Sequence, residues 1–401
     1  MTDVSGGITA PAGYLAAGIH AGIKKPSIPD LALLVSSTPA TVAGVFTTNR
    51  VVAAPVIVDR MRVRSGLAQA IIINSGNANA CTGRQGLSDA EEMTTLVAER
   101  LRIPMRRVLV GSTGVIGQPL PMPVIRRGIP LVIKSLRRRG GRDAARAILT
   151  TDTRVKEAAV QARIGGKLIT VGGMAKGSGM IHPDMATLLA YVTTDAAVSR
   201  QALQTCLTRA VERTFNCISV DGDTSTNDTV LCLANGAARN RRIDSGSREL
   251  AQLSRLIEDV CRRLAHAICW DGEGVTKVVE LHVTGARRLD DARQIARTIA
   301  TSMLVKTALF GEDANWGRII AAAGRSGVAL RPERLGLAFN GIPIVRGGKS
   351  LGKAAERRIA RVVKDDEFTL RLDVHQGTAA NRVWFTDLSY DYVKINASYR
   401  S

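Results

Sequence analysis

Apolar positions recur along this chain with two alternating periods. Residues 31–35, 71–73 and 108–110 are short apolar runs bounded by polar or glycine positions, which predicts strands. Val279, Leu281 and Val283 alternate with polar neighbours, and Phe368, Leu370, Leu372 and Val374 do so more clearly, so two later strands are expected. Helical spacing appears in between. Met93, Leu96, Val97 and Leu101 follow Ser88-Asp-Ala-Glu91, a capping-box signature that predicts a helix starting at Ser88. Leu203, Cys206, Leu207, Ala210 and Val211 share one face of a second helix. A longer third runs through Leu250, Leu253, Leu256, Ile257, Val260, Cys261 and Leu264. The expected class is α/β, with mixed sheets layered with helices. No repeat, heptad array or long low-complexity linker marks a domain boundary.

Composition narrows this picture. A chain of 401 residues with 45% hydrophobic residues buries a large core and should form two or more domains. No apolar run approaches the roughly 18 residues of a spanning helix. The opening MTDVSGGITAPAG lacks a charged segment followed by a signal core, so a cytoplasmic location is expected. Six cysteines without close pairing read as buried free thiols. The net charge of +20 raises nucleic acid as a partner, yet aromatic residues make up only 3% and do not interleave with basic runs such as residues 134–142. Without stacking platforms or a zinc-finger or helix-turn-helix pattern, a solvated basic surface is the simpler account.

Candidate chemistry gathers in four segments. In Lys176-Gly-Ser-Gly-Met-Ile-His-Pro-Asp-Met-Ala-Thr187, a small Ala186 joins a hydroxyl-bearing Thr187 past a glycine-rich turn, a junction suited to self-cleavage. Once freed, the α-amine of Thr187, with a reference pKa near 7.7–8.0, takes the proton of its own hydroxyl, so no histidine is needed. Gly111-Ser-Thr-Gly-Val-Ile-Gly117 follows a strand and reads as a tight turn whose amides could stabilise an oxyanion. Residues 172–179 hold four glycines around Lys176 but lack the order of a phosphate loop, so Lys176 is read as a compact cation for a substrate carboxylate. Asp271-Gly-Glu273 places two carboxylates in a loop without calcium-site spacing.

These blocks together resemble the ornithine acetyltransferase family, also called the glutamate N-acetyltransferase family of arginine biosynthesis. The similarity includes Gly172-Gly-Met-Ala-Lys through the Met-Ala-Thr junction, the Ser-Thr-Gly-Val-Ile-Gly loop, residues 74–83, 215–228 and 311–318, and the C-terminal end. The resemblance implies an ornithine acetyltransferase/DmpA-like fold, cut between Ala186 and Thr187 into an alpha chain (1–186, with the oxyanion-hole loop) and a beta chain (187–401, with the N-terminal nucleophile and a C-terminal α/β domain). It also implies acetyl transfer from N2-acetylornithine to glutamate through acetyl-Thr187, with oxyanion donors Thr113 and Gly114. Substrate contacts are expected from Thr153, Lys176, Thr187, Glu273, Asn396 and Ser401. Neither metal nor bound cofactor is required, acetyl-CoA is left open as a further donor, and the assembly is expected to be α2β2. Asp184 stands where the family commonly has asparagine, and residues 121–142 are unusually basic. The competing reading is a self-processing amidase or aminopeptidase with water as acceptor, whose members usually present serine at the cut.

Overall fold

Two β-sheets, each covered by helices, organise the molecule. The computed structural model describes residues 1–182 and 188–398. The first sheet orders its strands as Thr2–Asp3, Lys156–Ile164, Lys167–Lys176, Leu189–Thr194, Thr229–Ala234, Leu31–Phe46, Leu67–Asn77 and Val108–Val115, with Tyr14–Ile19 also paired to Leu31–Phe46. The second runs Lys349–Ser350, Ile342–Arg346, Gly336–Phe339, Glu367–Asp373, Val278–Ala286, Ala379–Thr386 and Ile218–Ser219. The α/β class with mixed sheets is thus observed, and the two alternating runs expected near 279 and 368 pair side by side in parallel.

Helices cover these sheets where the apolar stripes require it. Arg200–Arg213 and Leu250–Trp270 bury Leu203, Leu207, Leu253, Ile257 and Leu264 against Val160, Val171 and Val192. Ala54–Val63, Gly83–Leu101 and Met122–Lys134 cover Leu33, Ile72 and Val110. A separate core joins the second sheet to Leu289–Ala300, Trp316–Gly324 and Lys353–Val362.

Local expectations are corrected at three places. The helix expected to start at Ser88 begins at Gly83, and Ser88 lies inside it. The earlier start is built by residues just upstream, with Thr82 O accepting from Gly86 N at 3.3 Å and Asn79 Nδ2 donating to Gly86 O at 2.8 Å. The turn expected at Gly111 is instead strand as far as Val115, because it continues pairing in parallel with Leu67–Asn77. Finally, Gly172, Gly173 and Lys176 belong to the strand Lys167–Lys176 and not to a loop. Of the six cysteines, five are buried free thiols as expected, whereas Cys81 is free but exposed. Among the described residues, no helix is long and apolar enough to cross a membrane, and no group of three or more His, Cys, Asp or Glu is placed to hold a metal.

Candidate active site

The site begins at an edge. Val108–Val115 is the last strand of the first sheet, and an edge strand leaves backbone groups in need of partners. The helix Ala54–Val63 supplies them, with buried Asp59 accepting from Val110 N at 2.9 Å and Arg62 donating to Val108 O at 2.5 Å. Asn227 holds the far end by donating to Ser112 O at 2.8 Å and Ala78 O at 2.6 Å. At this clamped end the register shifts, since Asn77 faces both Thr113 and Val115. Gly114 has φ +134°, and a Cβ there would lie 2.3 Å from the Gly76 carbonyl carbon, so only glycine admits the distortion that turns the strand end toward the pocket.

Thr113 and Gly114 line a pocket together with Lys176, Glu273 and Asn396. Five expected site residues from four distant segments therefore meet. Lys176 ends its strand nearly fully buried, and its ammonium donates to Thr113 Oγ1 at 3.3 Å. Glu273 lies on the loop after Leu250–Trp270, where its amide donates to Ser178 O at 3.1 Å. A Cβ at Gly179 would come 2.6 Å from the Glu273 carboxyl carbon, so the absence of a side chain there is what lets this carboxylate into the pocket wall. The C-terminal helix Tyr390–Ser398 brings Asn396, whose Nδ2 donates to Glu273 Oε2 at 2.8 Å. What reads as a fraying tail is a wall of the pocket.

Lys176 and Glu273 bring groups of opposite charge to the wall of this pocket. Burial pulls the Lys176 pKa down, while the nearby Asp152 carboxylate opposes that. Burial alone would raise Asp152, but Lys176 and Lys156 outweigh it and hold its carboxyl well below the usual range. Asp221 accepts from Met180 N at 2.6 Å and Ile181 N at 2.9 Å, beneath the segment leading to residue 183. Its burial pushes the carboxyl up to about 6.

Other expectations fall elsewhere. Thr153 does not line the pocket: it is exposed, and its amide and hydroxyl both donate to Asp271. Thr150 and Thr151 line the pocket in its place. Ala186, Thr187, Asp184 and Ser401 lie outside the described residues. Leu188, which follows Thr187, is described, and its amide donates to Asp228 Oδ1 at 3.0 Å. Burial drives the Asp228 carboxyl well up. Ser225, Asn227, Ile116 and Met180 also line the pocket and were not singled out from the sequence. For Ser225 and Asn227 a signal existed, the dense polar run of residues 215–228, but nothing in it distinguished one residue from the next.

The same chain shows close similarity over its length to known proteins. The arginine biosynthesis bifunctional protein ArgJ of Symbiobacterium thermophilum is 51% identical over 403 residues, covering 100% of each chain. That of Geobacter sulfurreducens is 51% identical over 389 residues, 97% of this chain and 99% of its own. Among solved structures, the argJ protein from Bacillus halodurans is 40% identical, covers 52% of this chain and 97% of its own, and has a TM-score of 0.49. With residues 15–401 matching the ArgJ family and relatives half identical from end to end, the chain whose Thr113, Lys176 and Glu273 share this pocket belongs to the ArgJ family.

Proposed function

We propose that Thr187, exposed by self-cleavage after Ala186, is the nucleophile that works at this pocket, with Thr113 and Gly114 as oxyanion donors and Lys176, Glu273 and Asn396 as substrate contacts. The enzyme is a glutamate N-acetyltransferase, moving acetyl from acetylornithine to glutamate. The single observation that carries the site assignment is the convergence of Thr113, Gly114, Lys176, Glu273 and Asn396 on one pocket, whose lining residue Asn227 adjoins the Asp228 that anchors Leu188.

The roles follow from charge and geometry. The Thr187 hydroxyl attacks the Ala186 carbonyl, the acyl group shifts from nitrogen to oxygen, and water hydrolyses the ester. In turnover the α-amine takes the hydroxyl proton while Oγ attacks the acetyl carbonyl of acetylornithine. The carbonyl oxygen becomes negative against the Thr113 hydroxyl and the Gly114 amide, and ornithine leaves with the returned proton. Glutamate's amine then attacks acetyl-Thr187 to give N-acetylglutamate. Lys176 suits the substrate α-carboxylate and Glu273 the ornithine side-chain ammonium. Ser401 completes the substrate contacts, whereas Thr153 acts on the site only through the Asp271 loop it secures.

Incubation with acetylornithine and glutamate, without acetyl-CoA, should yield ornithine and N-acetylglutamate. N-terminal sequencing of the larger fragment should begin Thr-Leu-Leu-Ala. An intact yet active chain would remove Thr187 from the mechanism, and acetate release indifferent to glutamate would establish a hydrolase. The named relatives are called bifunctional. Acetyl-CoA as sole donor tests whether this enzyme shares that second activity.

A further inference from the structure

Lys176 has a neighbour whose consequence reaches the reacting carbonyl. Its ammonium lies 3.3 Å from Thr113 Oγ1 and 3.9 Å from Asp152 Oδ2. An ammonium carries three donors and no acceptor, whereas a neutral amine accepts as well as donates. The protonation state of Lys176 therefore sets the direction of the hydrogen bond it shares with Thr113. Against the ammonium, Thr113 Oγ1 must accept, and its own hydrogen is free for another acceptor. Against a neutral amine, the hydroxyl can spend that hydrogen on the lysine. Thr113 lines the pocket, so only the first arrangement reliably offers a donor to an oxyanion there.

We infer that Asp152 is a positioning residue for the transfer reaction, holding Lys176 in its ammonium form and thereby aiming the Thr113 hydroxyl hydrogen at the substrate oxygen. The inference rests on the reading of Thr113 as an oxyanion donor. Asp152 is built for this task. Its fully buried carboxylate accepts from Lys156 Nζ at 2.6 Å, Gly177 N at 2.7 Å and Thr150 N at 3.0 Å, which fixes it while one oxygen faces Lys176. Lys156 is itself buried and pairs with Asp271 at 2.5 Å. Asp271 O accepts from Ser178 Oγ at 2.6 Å, and Ser178 O accepts from Glu273 N. One buried polar chain thus runs from the oxyanion hydroxyl to the carboxylate that faces the substrate's ammonium.

Every charged group around Lys176 enters the balance. Burial and Lys156 disfavour its charged form, Asp152, Glu273 and Asp228 favour it, and Lys24 adds repulsion from the neighbouring segment. Asp152 is the strongest of the favourable partners, so neutralising it should deprotonate Lys176 at a lower pH.

Steady-state transfer across about pH 6 to 10 tests this on the processed enzyme, with Asp152→Asn, Thr113→Ala and the double variant. Asp152→Asn should lower kcat by about tenfold or more at pH 8, with a smaller change in KM, and move the alkaline limb of the kcat profile down by about one unit. In the Thr113→Ala background the same change should cost less than about threefold, because the hydroxyl it acts through is gone. Superimposable pH profiles, or losses that multiply in the double variant, overturn the inference. Should Asp152→Asn not accumulate as folded enzyme, Thr113→Ala alone still decides. The alkaline limb of kcat should vanish with the hydroxyl, and its persistence overturns the inference. An unchanged kcat in Thr113→Ala fails the oxyanion reading itself; a slowed Thr113→Ala with multiplying losses fails only the role of Asp152.

Discussion

At the scale of residues, the pocket depends on a few polar side chains held by one another, Lys176 by Thr113 and Asn396 by Glu273. Thr113→Ala should slow acetyl transfer by about ten- to a thousandfold, the cost of one oxyanion donor, with KM less affected. Glu273→Gln should impair the acetylornithine half-reaction more than deacylation by glutamate, since only ornithine carries a side-chain ammonium; single-turnover rates for the two halves check this. Asp221 gives a pH signature. Its carboxyl is raised by burial to about 6 from 3.8, so the folded state binds the proton more tightly than the unfolded chain. Its stabilising contribution is complete below about pH 4 and is lost as pH rises through 6. Relative to Asp221→Asn, wild type should therefore lose stability by about 2 to 3 kcal/mol between pH 4 and 7, read from paired denaturant titrations. A constant difference across that range would show that Asp221 does not titrate there.

At the scale of elements, a close backbone approach adds to apolar burial in the first sheet. Gly172 sits in mid-strand where a Cβ would lie 2.0 Å from Gly7 O, so the N-terminal turn Gly7–Thr9 packs directly on strand backbone. Gly172→Ala should destabilise by about 1 to 3 kcal/mol through overpacking, whereas Gly246→Ala, with no atom within 4 Å, should be nearly neutral in the same urea titration. This packing also explains why the glycine-rich stretch misleads as a loop. Gly172 and Gly173 answer to neighbours across the core, not to a turn, so their spacing carries no local signal. The capping box at Ser88 misleads in the opposite way: the pattern is a valid helix start, but Asn79 and Thr82 supply partners one turn earlier and the helix follows them.

At the scale of the whole molecule, the proposed cut does not separate two bodies. Leu189–Thr194 pairs with Lys167–Lys176 on one side and Thr229–Ala234 on the other, and Thr229–Ala234 pairs with Leu31–Phe46. The two strands that follow residue 187 thus lie side by side between strands that precede it in one sheet, and the 1–186 and 187–401 chains should co-elute on native gel filtration and part only in denaturant. Recovery of either fragment alone under native conditions would contradict this. Two such processed units are expected to form a closed α2β2 assembly, and light scattering at working concentration should give about four chains. A single αβ mass would sink the pairing.

How much of this was legible beforehand follows from where the information resides. Periodicity alone determined the α/β class, the strands near 279 and 368 and the helix at Leu250–Trp270, because those elements bury one face and the burial is written at fixed spacing. Resemblance to the ornithine acetyltransferase family singled out Thr113, Gly114, Lys176, Glu273 and Asn396 as site candidates. Only the tertiary structure decided that Asn396 of the C-terminal helix would meet Glu273, that Thr153 would turn to Asp271, and that Asn227 would clamp the strand Val108–Val115. Buried Asp152 was equally silent, since nothing local to its sequence shows that Lys156 and Lys176 converge on it from one strand and the next. Side-chain partners separated by a hundred residues are chosen by how sheets stack and register, and a linear pattern records which faces are buried without recording which groups those faces meet.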